Sequence, residues 1–216
     1  MNWTWLGSNA GRIGSLAIDH LLLALPAIFA AFFIAVPIGW FAHRAGRVRE
    51  TLVVATSLIY VVPSLAMFVL LPLVLGTSVL SPLNVVVAMT LYGIALMVRS
   101  ATDSFGSVPA DVRQSAIATG YSPLRRILRV ELPLAGPGLL AGVRVVAAST
   151  ISLVSVGALI GVQSLGTLFT EGFQRSFPTQ IIAGLIGTIL LAVLVDALLV
   201  AFGRVTMPWT RKAGLK

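Results

Sequence analysis

The feature that most constrains this chain is a stretch from Thr51 to Val98 that contains no charged residue. About 20 apolar residues, at a rise of about 1.5 Å each, cross the hydrocarbon layer of a bilayer, so the stretch is long enough for two crossings. The turn-forming segments Gly76-Thr77-Ser78 and Ser81-Pro82 divide it. The sequence therefore predicts two membrane spans here, over about residues 52–75 and 80–98.

Three further apolar stretches are long enough to span a bilayer, at about residues 21–42, 136–161 and 180–203. Over the whole chain 57% of residues are hydrophobic, 10% are charged and the mean hydropathy is +0.99, which excludes a water-soluble globule. We therefore expect an all-α polytopic membrane protein, with residues 1–216 forming a single transmembrane domain of five helices.

The basic residues predict the orientation of the spans. Lys and Arg number 15 and Asp and Glu number 7, a net charge of +8. Because a basic cluster follows the first span, the positive-inside rule places that loop in the cytoplasm, the N-terminus outside and the C-terminus inside. The predicted inside segments then hold 12 of the 15: Arg44, Arg47, Arg49, Arg99, Arg113, Arg125, Arg126, Arg129, Arg204, Arg211, Lys212 and Lys216. The outside segments hold Arg12 and Arg175.

This distribution explains the positive charge as a topology signal, so we expect a lipid-bilayer protein and no nucleic-acid partner. The chain has no cysteine, which excludes disulfides and thiolate metal sites. The sequence contains neither HExxH, the pattern of metalloproteases, nor GxSxG, the pattern of serine hydrolases. We therefore expect no catalytic residues and no metal site.

The one long polar segment, residues 99–135, predicts a cytoplasmic helix–glycine–helix. A first helix is expected to begin near Pro109, with Asp111 in its first turn, and to stop at Gly120. A second is expected to begin at Ser122-Pro123 and to end before Pro133, with leucines on one face and arginines on the other. Small residues on the first helix would let another surface approach its backbone closely.

This segment resembles the EAA loop of bacterial ABC importer permeases, which reads E-A-A-x-x-x-G, nine residues, then I-x-L-P. Here residues 114–120 read Q-S-A-I-A-T-G, and after nine residues 130–133 read V-E-L-P. Gln114 replaces the usual acid and Ser115 the first alanine, so the nearby arginines would carry more of the docking. The resemblance implies an ATPase-coupling role for Arg113, Gln114, Ser115, Ala116, Gly120, Leu132 and Pro133.

Further segments resemble osmoprotectant permeases, which import glycine betaine, choline or carnitine. They are Val62-Pro63-Ser64-Leu65-Ala66, Ala141-Gly142-Val143-Arg144 and Val195-Asp196-Ala197-Leu198-Leu199. The resemblance implies a type I ABC importer permease in a prokaryotic plasma membrane. Its expected partners are cytoplasmic ATPases, a second permease copy or paralogue, and an extracytoplasmic solute-binding protein. ATP and Mg²⁺ would bind the ATPase, since no lysine here is followed by Ser or Thr as a Walker A loop requires.

Two charges fall within the predicted spans. Arg144 lies about eight residues after the cytoplasmic start of the fourth span and Asp196 about eight before the cytoplasmic end of the fifth. Both would then sit about 12 Å deep, where they could meet. We favour a structural ion pair that braces two helices over a substrate site.

Several polar residues in the spans have two interpretations. Pro63 and Ser64 could form a gate or an ordinary helix kink. Ser149, Ser152 and Ser155 could line a pathway or bond to neighbouring backbone. Glycine pairs at positions 138 and 142, and at 157 and 161, are typical of close helix packing. Aromatic cages bind quaternary ammonium groups, but nothing in the sequence clusters Tyr60, Phe68 and Tyr92.

Three other functions are compatible with the sequence. The permease could carry another small solute, such as an amino acid. A stand-alone secondary transporter or channel would need its own ion-coupling site and usually paired repeats, whereas five spans do not divide equally. A membrane scaffold without transport is the third alternative.

Overall fold

The computed structural model describes residues 1–46 and 48–211, excluding the side chains of residues 48, 210 and 211, and every regular element in this part is helical. The α-helices are α1 (Trp3–Arg44), α2 (Val48–Leu58), α3 (Ser64–Leu75), α4 (Pro82–Gly106), α5 (Ala110–Ala118), α6 (Pro123–Arg126), α7 (Leu132–Val154), α8 (Gly166–Gln174) and α9 (Pro178–Thr206). Shorter 3₁₀ turns occupy Ile59–Val61, Ser155–Ile160 and Pro208–Arg211, and a π-helical turn occupies Ile127–Glu131. Among these residues four helices are long and apolar enough to cross a membrane, or five if the bent pair α2–α3 counts as one span. An all-α membrane fold is thus confirmed.

Helix α4 lies at the centre of the bundle, packed against α1 on one side and α7 on the other. Glycines allow this close packing. A Cβ at Gly93 would stand 2.6 Å from the Cβ of Ala31, and one at Gly39 would meet Ala101 and the backbone nitrogen of Thr102. Since these contacts pair the two helices in the same order along the chain, α1 and α4 run parallel.

The predicted packing role is confirmed for Gly138 and Gly142, both on α7. A Cβ at Gly138 would collide with Ser104, and one at Gly142 would stand 2.6 Å from the Cβ of Ser100. The other predicted pair also packs closely, since a Cβ at Gly157 would lie 3.2 Å from Val85 and one at Gly161 2.8 Å from Leu80. Gly161 in addition ends a 3₁₀ turn with φ of +87°, which favours glycine. The small residues of α7 therefore set its distance from α4.

We expect Gly39→Val to lower the free energy of unfolding by about 1–3 kcal/mol, because the branched side chain has no space against α4. Thermal unfolding of the purified protein in detergent measures this loss. Gly11→Val, also in α1, is the matched control, since a Cβ at Gly11 meets nothing within 4 Å. Equal losses in the two variants would contradict the packing explanation.

Helix α1 begins at Trp3, well before the predicted span at residues 21–42. Nothing between Trp3 and Leu21 breaks a helix, and the side chain of Asn2 caps the start by accepting a hydrogen bond from the backbone N–H of Trp5. The sequence prediction marked where the apolar residues begin rather than where the helix begins. Arg12 therefore lies within α1.

The predicted span 52–75 is not one straight helix. Helices α2 and α3 meet at an angle of 99° at Val62-Pro63. Proline lacks a backbone donor and disfavours helical geometry in the preceding residue, and Val62 is accordingly extended, with φ of −65° and ψ of 127°. Helices α4 and α9 are longer than the predicted spans, since α4 continues to Gly106 and α9 covers Pro178–Thr206. Helix α7 begins earlier than predicted, at Leu132, and ends at Val154, where a 3₁₀ turn follows.

One end of the bundle, called here the basic end, is formed by the ends of α1, α4 and α9 and the start of α7. A Cβ at Gly136 on α7 would lie 2.8 Å from the sulfur of Met207, just after α9. The described basic residues at or near this end are Arg44, Arg49, Arg99, Arg113, Arg125, Arg126, Arg129 and Arg204. Arg47, Lys212 and Lys216, also predicted to lie inside, and the side chain of Arg211, fall outside the described part.

At the opposite end a set of hydrogen bonds, called here the Arg12–Glu171 lock, joins α1 to α8 and α9. Arg12 of α1 donates two hydrogen bonds to the Glu171 carboxylate on α8, one of them 2.9 Å long, and Gln180 of α9 donates a third at 2.7 Å. The backbone N–H of Asn2 also donates to the Thr179 hydroxyl at 3.1 Å. The hydrogen bonds from Arg12, partly offset by burial, and from Gln180 lower the pKa of Glu171.

A lowered pKa makes this lock sensitive to acid. The ionised carboxylate stabilises the fold above its unfolded-state pKa, and that contribution is lost as pH falls through the lower folded pKa. Glu171→Gln should therefore lower the melting temperature at pH 7 and reduce the further loss on acidification towards pH 3. Glu50→Gln, which removes an exposed carboxylate, is the control. An unchanged acid-induced loss in Glu171→Gln would contradict this role.

Candidate functional site

The segment between α4 and α7, residues 107–131, forms the candidate site at the basic end. Helix α5 follows Pro109 with Asp111 in its first turn, and Gly120 has φ of +80°, as its predicted role as a helix stop requires. Pro123 then begins α6. These local elements lie where the sequence predicts them.

The predicted end of the second helix before Pro133 is wrong. Helix α6 widens into the π-turn Ile127–Glu131, in which the backbone N–H of Leu132 bonds to the carbonyl of Ile127, and continues without a break into α7. Pro133 lies in the first turn of α7, and the widened turn before it accommodates a residue that has no N–H to donate. The segment is thus joined rigidly to a membrane span.

The burial of this second helix does not divide into a leucine face and an arginine face. Leu124 and Leu128 are 66% and 54% exposed, whereas the Arg126 side chain is 12% exposed. Arg126 turns inward because its Nε donates a 2.9 Å hydrogen bond to Glu131. An amphipathic pattern shows which residues share a face, but the hydrogen bond to Glu131, five residues along the chain, decides that Arg126 is buried.

The predicted coupling residues divide into an inward and an outward group. Arg113 points inward, donating to the backbone carbonyls of Phe105 and Val108 at 3.3 Å, and Ala116 is buried. Gln114, Ser115 and Gly120 are exposed, and Leu132 and Pro133 are half-buried at the junction with α7. Only the outward group is available to a partner.

Beside that outward group lies an exposed apolar surface, which we call the loop surface. Its apolar members are Val112, Ile117, Leu124 and Leu128, and it also carries the exposed Arg125 and Arg129. The Arg125 guanidinium stacks on the ring of Tyr121 at 4.9 Å. Exposed apolar side chains among cations at a polar end of a membrane protein are typical of a protein-binding surface.

Glu131 is the residue at this site whose importance the sequence reasoning missed. Its side chain is 1% exposed and contacts both α1 and the loop segment. The signal available in the sequence was an acid among arginines, in the second position of the V-E-L-P segment.

Arg144 and Asp196 meet in the structure. Nε and Nη2 of Arg144 donate to the two carboxylate oxygens of Asp196 at 2.6 and 2.8 Å, joining α7 to α9. The side chains are 43% and 41% exposed on the surface of the single chain. The bidentate geometry suits a brace between helices, and that role stays a prediction.

The residues predicted to form a pathway or gate lie in different surroundings. Pro63 and Ser64 are at the α2–α3 break, Ser152 is exposed on α7, and the Ser155 hydroxyl is buried without a hydrogen-bond partner in the described structure. The hydroxyl oxygen of Ser149 lies 3.1 Å from that of Tyr60. Of Ser149, Ser152 and Ser155, it is therefore Ser149 whose hydroxyl pairs with a residue beside the break.

Tyr60 and Tyr92, which nothing in the sequence brings together, are neighbours at this break. Their rings meet edge to face with centroids 5.6 Å apart, and the Tyr92 hydroxyl donates a 2.6 Å hydrogen bond to the carbonyl of Val62. That bond gives a partner to the Val62 carbonyl, which lies at the break between α2 and α3. Phe68 is fully buried elsewhere on α3. The fold thus brings together two tyrosines that no sequence pattern links.

Comparison with known proteins agrees with this architecture. The chain is 31% identical to the osmoprotectant import permease protein OsmW of Salmonella typhimurium over 88% of this chain and 90% of that protein. It is 28% identical to the glycine betaine/carnitine/choline transport system permease protein OpuCD of Bacillus subtilis, over 98% and 91%.

A solved structure of the MetNI methionine ABC transporter, in an inward-facing conformation, has the same fold. It superposes with a TM-score of 0.78 at 17% identity, covering 95% of this chain and 99% of that one. Residues 34–211 match the family described as "Binding-protein-dependent transport system inner membrane component". The chain therefore belongs to this family and is a multi-pass membrane permease subunit of an ABC importer.

Proposed function

We propose that this permease imports a quaternary ammonium osmoprotectant such as glycine betaine, choline or carnitine. The observation that carries the proposal is the similarity, over nearly the full chain, to permeases whose names specify these solutes. The sequence segments around Pro63, Arg144 and Asp196 support the same branch. A solute-binding protein outside the cell would capture the solute and deliver it to the permease.

The basic end faces the cytoplasm in this proposal. Its arginines follow the positive-inside rule, which places the start of α1 and the Arg12–Glu171 lock outside. Since the chain has no native cysteine, single cysteines report the orientation. An impermeant maleimide applied to intact cells should label Ser8→Cys and leave Ser122→Cys unlabelled. The reverse pattern would overturn the orientation.

Cytoplasmic ATPase subunits, which would bind ATP and Mg²⁺, dock on the loop surface. The exposed apolar side chains there support this assignment, as does the rigid connection of α6 to α7 through the π-turn. Two permeases, either two copies or this chain with a paralogue, would enclose the pathway in a prokaryotic plasma membrane. ATP-driven closure of the ATPases would then move the helices through this segment and alternate the access of the pathway.

Uptake into proteoliposomes tests the function. The permease is reconstituted with its ATPase, ATP is enclosed in the vesicles, and the binding protein is added outside with radiolabelled choline or glycine betaine. We expect uptake that requires all three components. ATP-dependent uptake of an amino acid but of neither quaternary ammonium solute would overturn the substrate class. Ion-gradient-driven uptake by the chain alone would overturn the ATP-driven mechanism.

A further inference from the structure

Glu131 is a buried carboxylate with an unusual number of partners. Its Oε1 accepts hydrogen bonds from Arg44 at 2.8 Å and Arg126 at 2.9 Å, and its Oε2 accepts one from the indole N–H of Trp40 at 2.9 Å. The Nε of Arg113 lies 3.8 Å from Oε1. Among the described residues no other Asp or Glu side chain is as buried.

These partners come from separate parts of the chain. Trp40 and Arg44 belong to the last turns of α1, Arg113 to α5, and Arg126 to α6. Arg113 also holds the carbonyls of Phe105 and Val108, which end α4 and begin the loop. One side chain at the start of α7 therefore ties the end of α1 to both helices of the loop segment.

The chemistry of this cluster favours a mechanical role over simple stabilisation. Burying a charge carries a large desolvation cost, and apolar residues of similar size often stabilise a fold equally well. A carboxylate with several directional bonds instead fixes the relative positions of the segments that hold its donors. The guanidinium of Arg44 also stacks on the Trp40 ring at 4.3 Å, which fixes both donors from α1.

We propose that Glu131 is a positioning residue that locks the cytoplasmic end of α1 to the loop segment, so that α1, α5 and the start of α7 move as one body. A displacement of α5 by a docked ATPase then reaches both α1 and α7. This inference rests on the proposed ATPase docking, and it assigns to α1 a part in transmitting the motion.

The reconstituted complex of permease, ATPase and binding protein tests the proposal. In Glu131→Gln, one carboxylate oxygen becomes an amide nitrogen that cannot accept a hydrogen bond, so the cluster loosens. We expect the amount of assembled complex and its basal ATPase rate to stay within about twofold of wild type. Solute transported per ATP hydrolysed should fall about tenfold, a common size for coupling between two sites.

Glu171→Gln is the matched control, because Glu171 also joins α1 to a later helix through an arginine, but at the opposite end. We expect it to leave transport per ATP unchanged. A Glu131→Gln complex that transports as much per ATP as wild type would overturn the proposal. If the wild-type permease fails to bind the ATPase at all, the proposed function is at fault instead.

A second measurement leaves Glu131 unchanged, so it tests the proposal even if the Glu131→Gln variant does not fold. Phe41 on α1 and Ala110 on α5 are exposed, and Phe41→Cys with Ala110→Cys can carry spin labels in a chain without native cysteine. Labelled permease is diluted with unlabelled permease so that each complex holds one pair. The distance between the labels should be the same in nucleotide-free and ATP-bound complexes, and a clear change would show that α1 and the loop move separately.

Discussion

Replacing Ile117 and Leu124 by glutamate should remove the ATPase from the purified permease almost completely. Both side chains are exposed on the loop surface, 54% and 66% respectively, so the fold does not depend on burying them. In the docked complex they would be covered, and an unpaired carboxylate there is strongly unfavourable. We expect co-purification of the ATPase to fall about tenfold or more, with the amount of permease in the membrane unchanged.

Phe173→Glu is the control for this substitution. Phe173 is 80% exposed on α8, at the opposite end of the bundle, and the change removes an equally apolar side chain. We expect normal ATPase binding in this variant. Full ATPase binding by the Ile117→Glu and Leu124→Glu double variant would show that docking occurs on another surface. Equal loss in the control would point to a general defect of the fold.

The second large effect concerns Arg144 and Asp196. Asp196→Ala leaves the Arg144 guanidinium without its bidentate partner on a membrane-embedded helix, which is a costly arrangement. We expect the amount of folded permease in the membrane to fall about fivefold. Removing both charges, in Arg144→Ala with Asp196→Ala, should restore most of that amount, because neither group is then left unpaired.

The level of folded protein and the transport rate together distinguish a brace from a substrate site. A double variant that folds and transports near the wild-type rate supports the brace. If the double variant folds well but has lost transport, the pair contacts the solute or lines its pathway, and the brace is wrong. Similar damage in the single and double variants would show that the two charges do not depend on each other.

A structural feature could be predicted from the sequence where its signal acts within a few neighbouring residues. Pro109, Asp111 and Gly120 act through their own backbone positions, so helix α5 and its end were predictable. Hydropathy located the spans, but it marks only where the apolar residues begin. Helix α1 extends beyond its apolar residues, because nothing in the sequence stops the helix before Trp3.

The features that could not be predicted involved partners far apart in the chain. Arg126 turns inward only because Glu131 is held by Trp40 and Arg44 of α1. Tyr60 and Tyr92 meet only because the chain turns by 99° at Pro63. A proline in the sequence indicates a break, but neither its angle nor the residues brought together by it can be derived from spacing.

Helix α1 is so long that its contacts through Arg12 and Arg44 lie far apart. At a rise of about 1.5 Å per residue, its 42 residues extend about 60 Å, twice the thickness of the hydrocarbon layer. The helix is held by Glu171 near one end and by Glu131 at the other. Over that length, a tilt of about 5° around one end would move the other end by about 5 Å. A small change in the tilt of α1 at the Glu171 end therefore becomes a displacement of several ångströms at the Glu131 end.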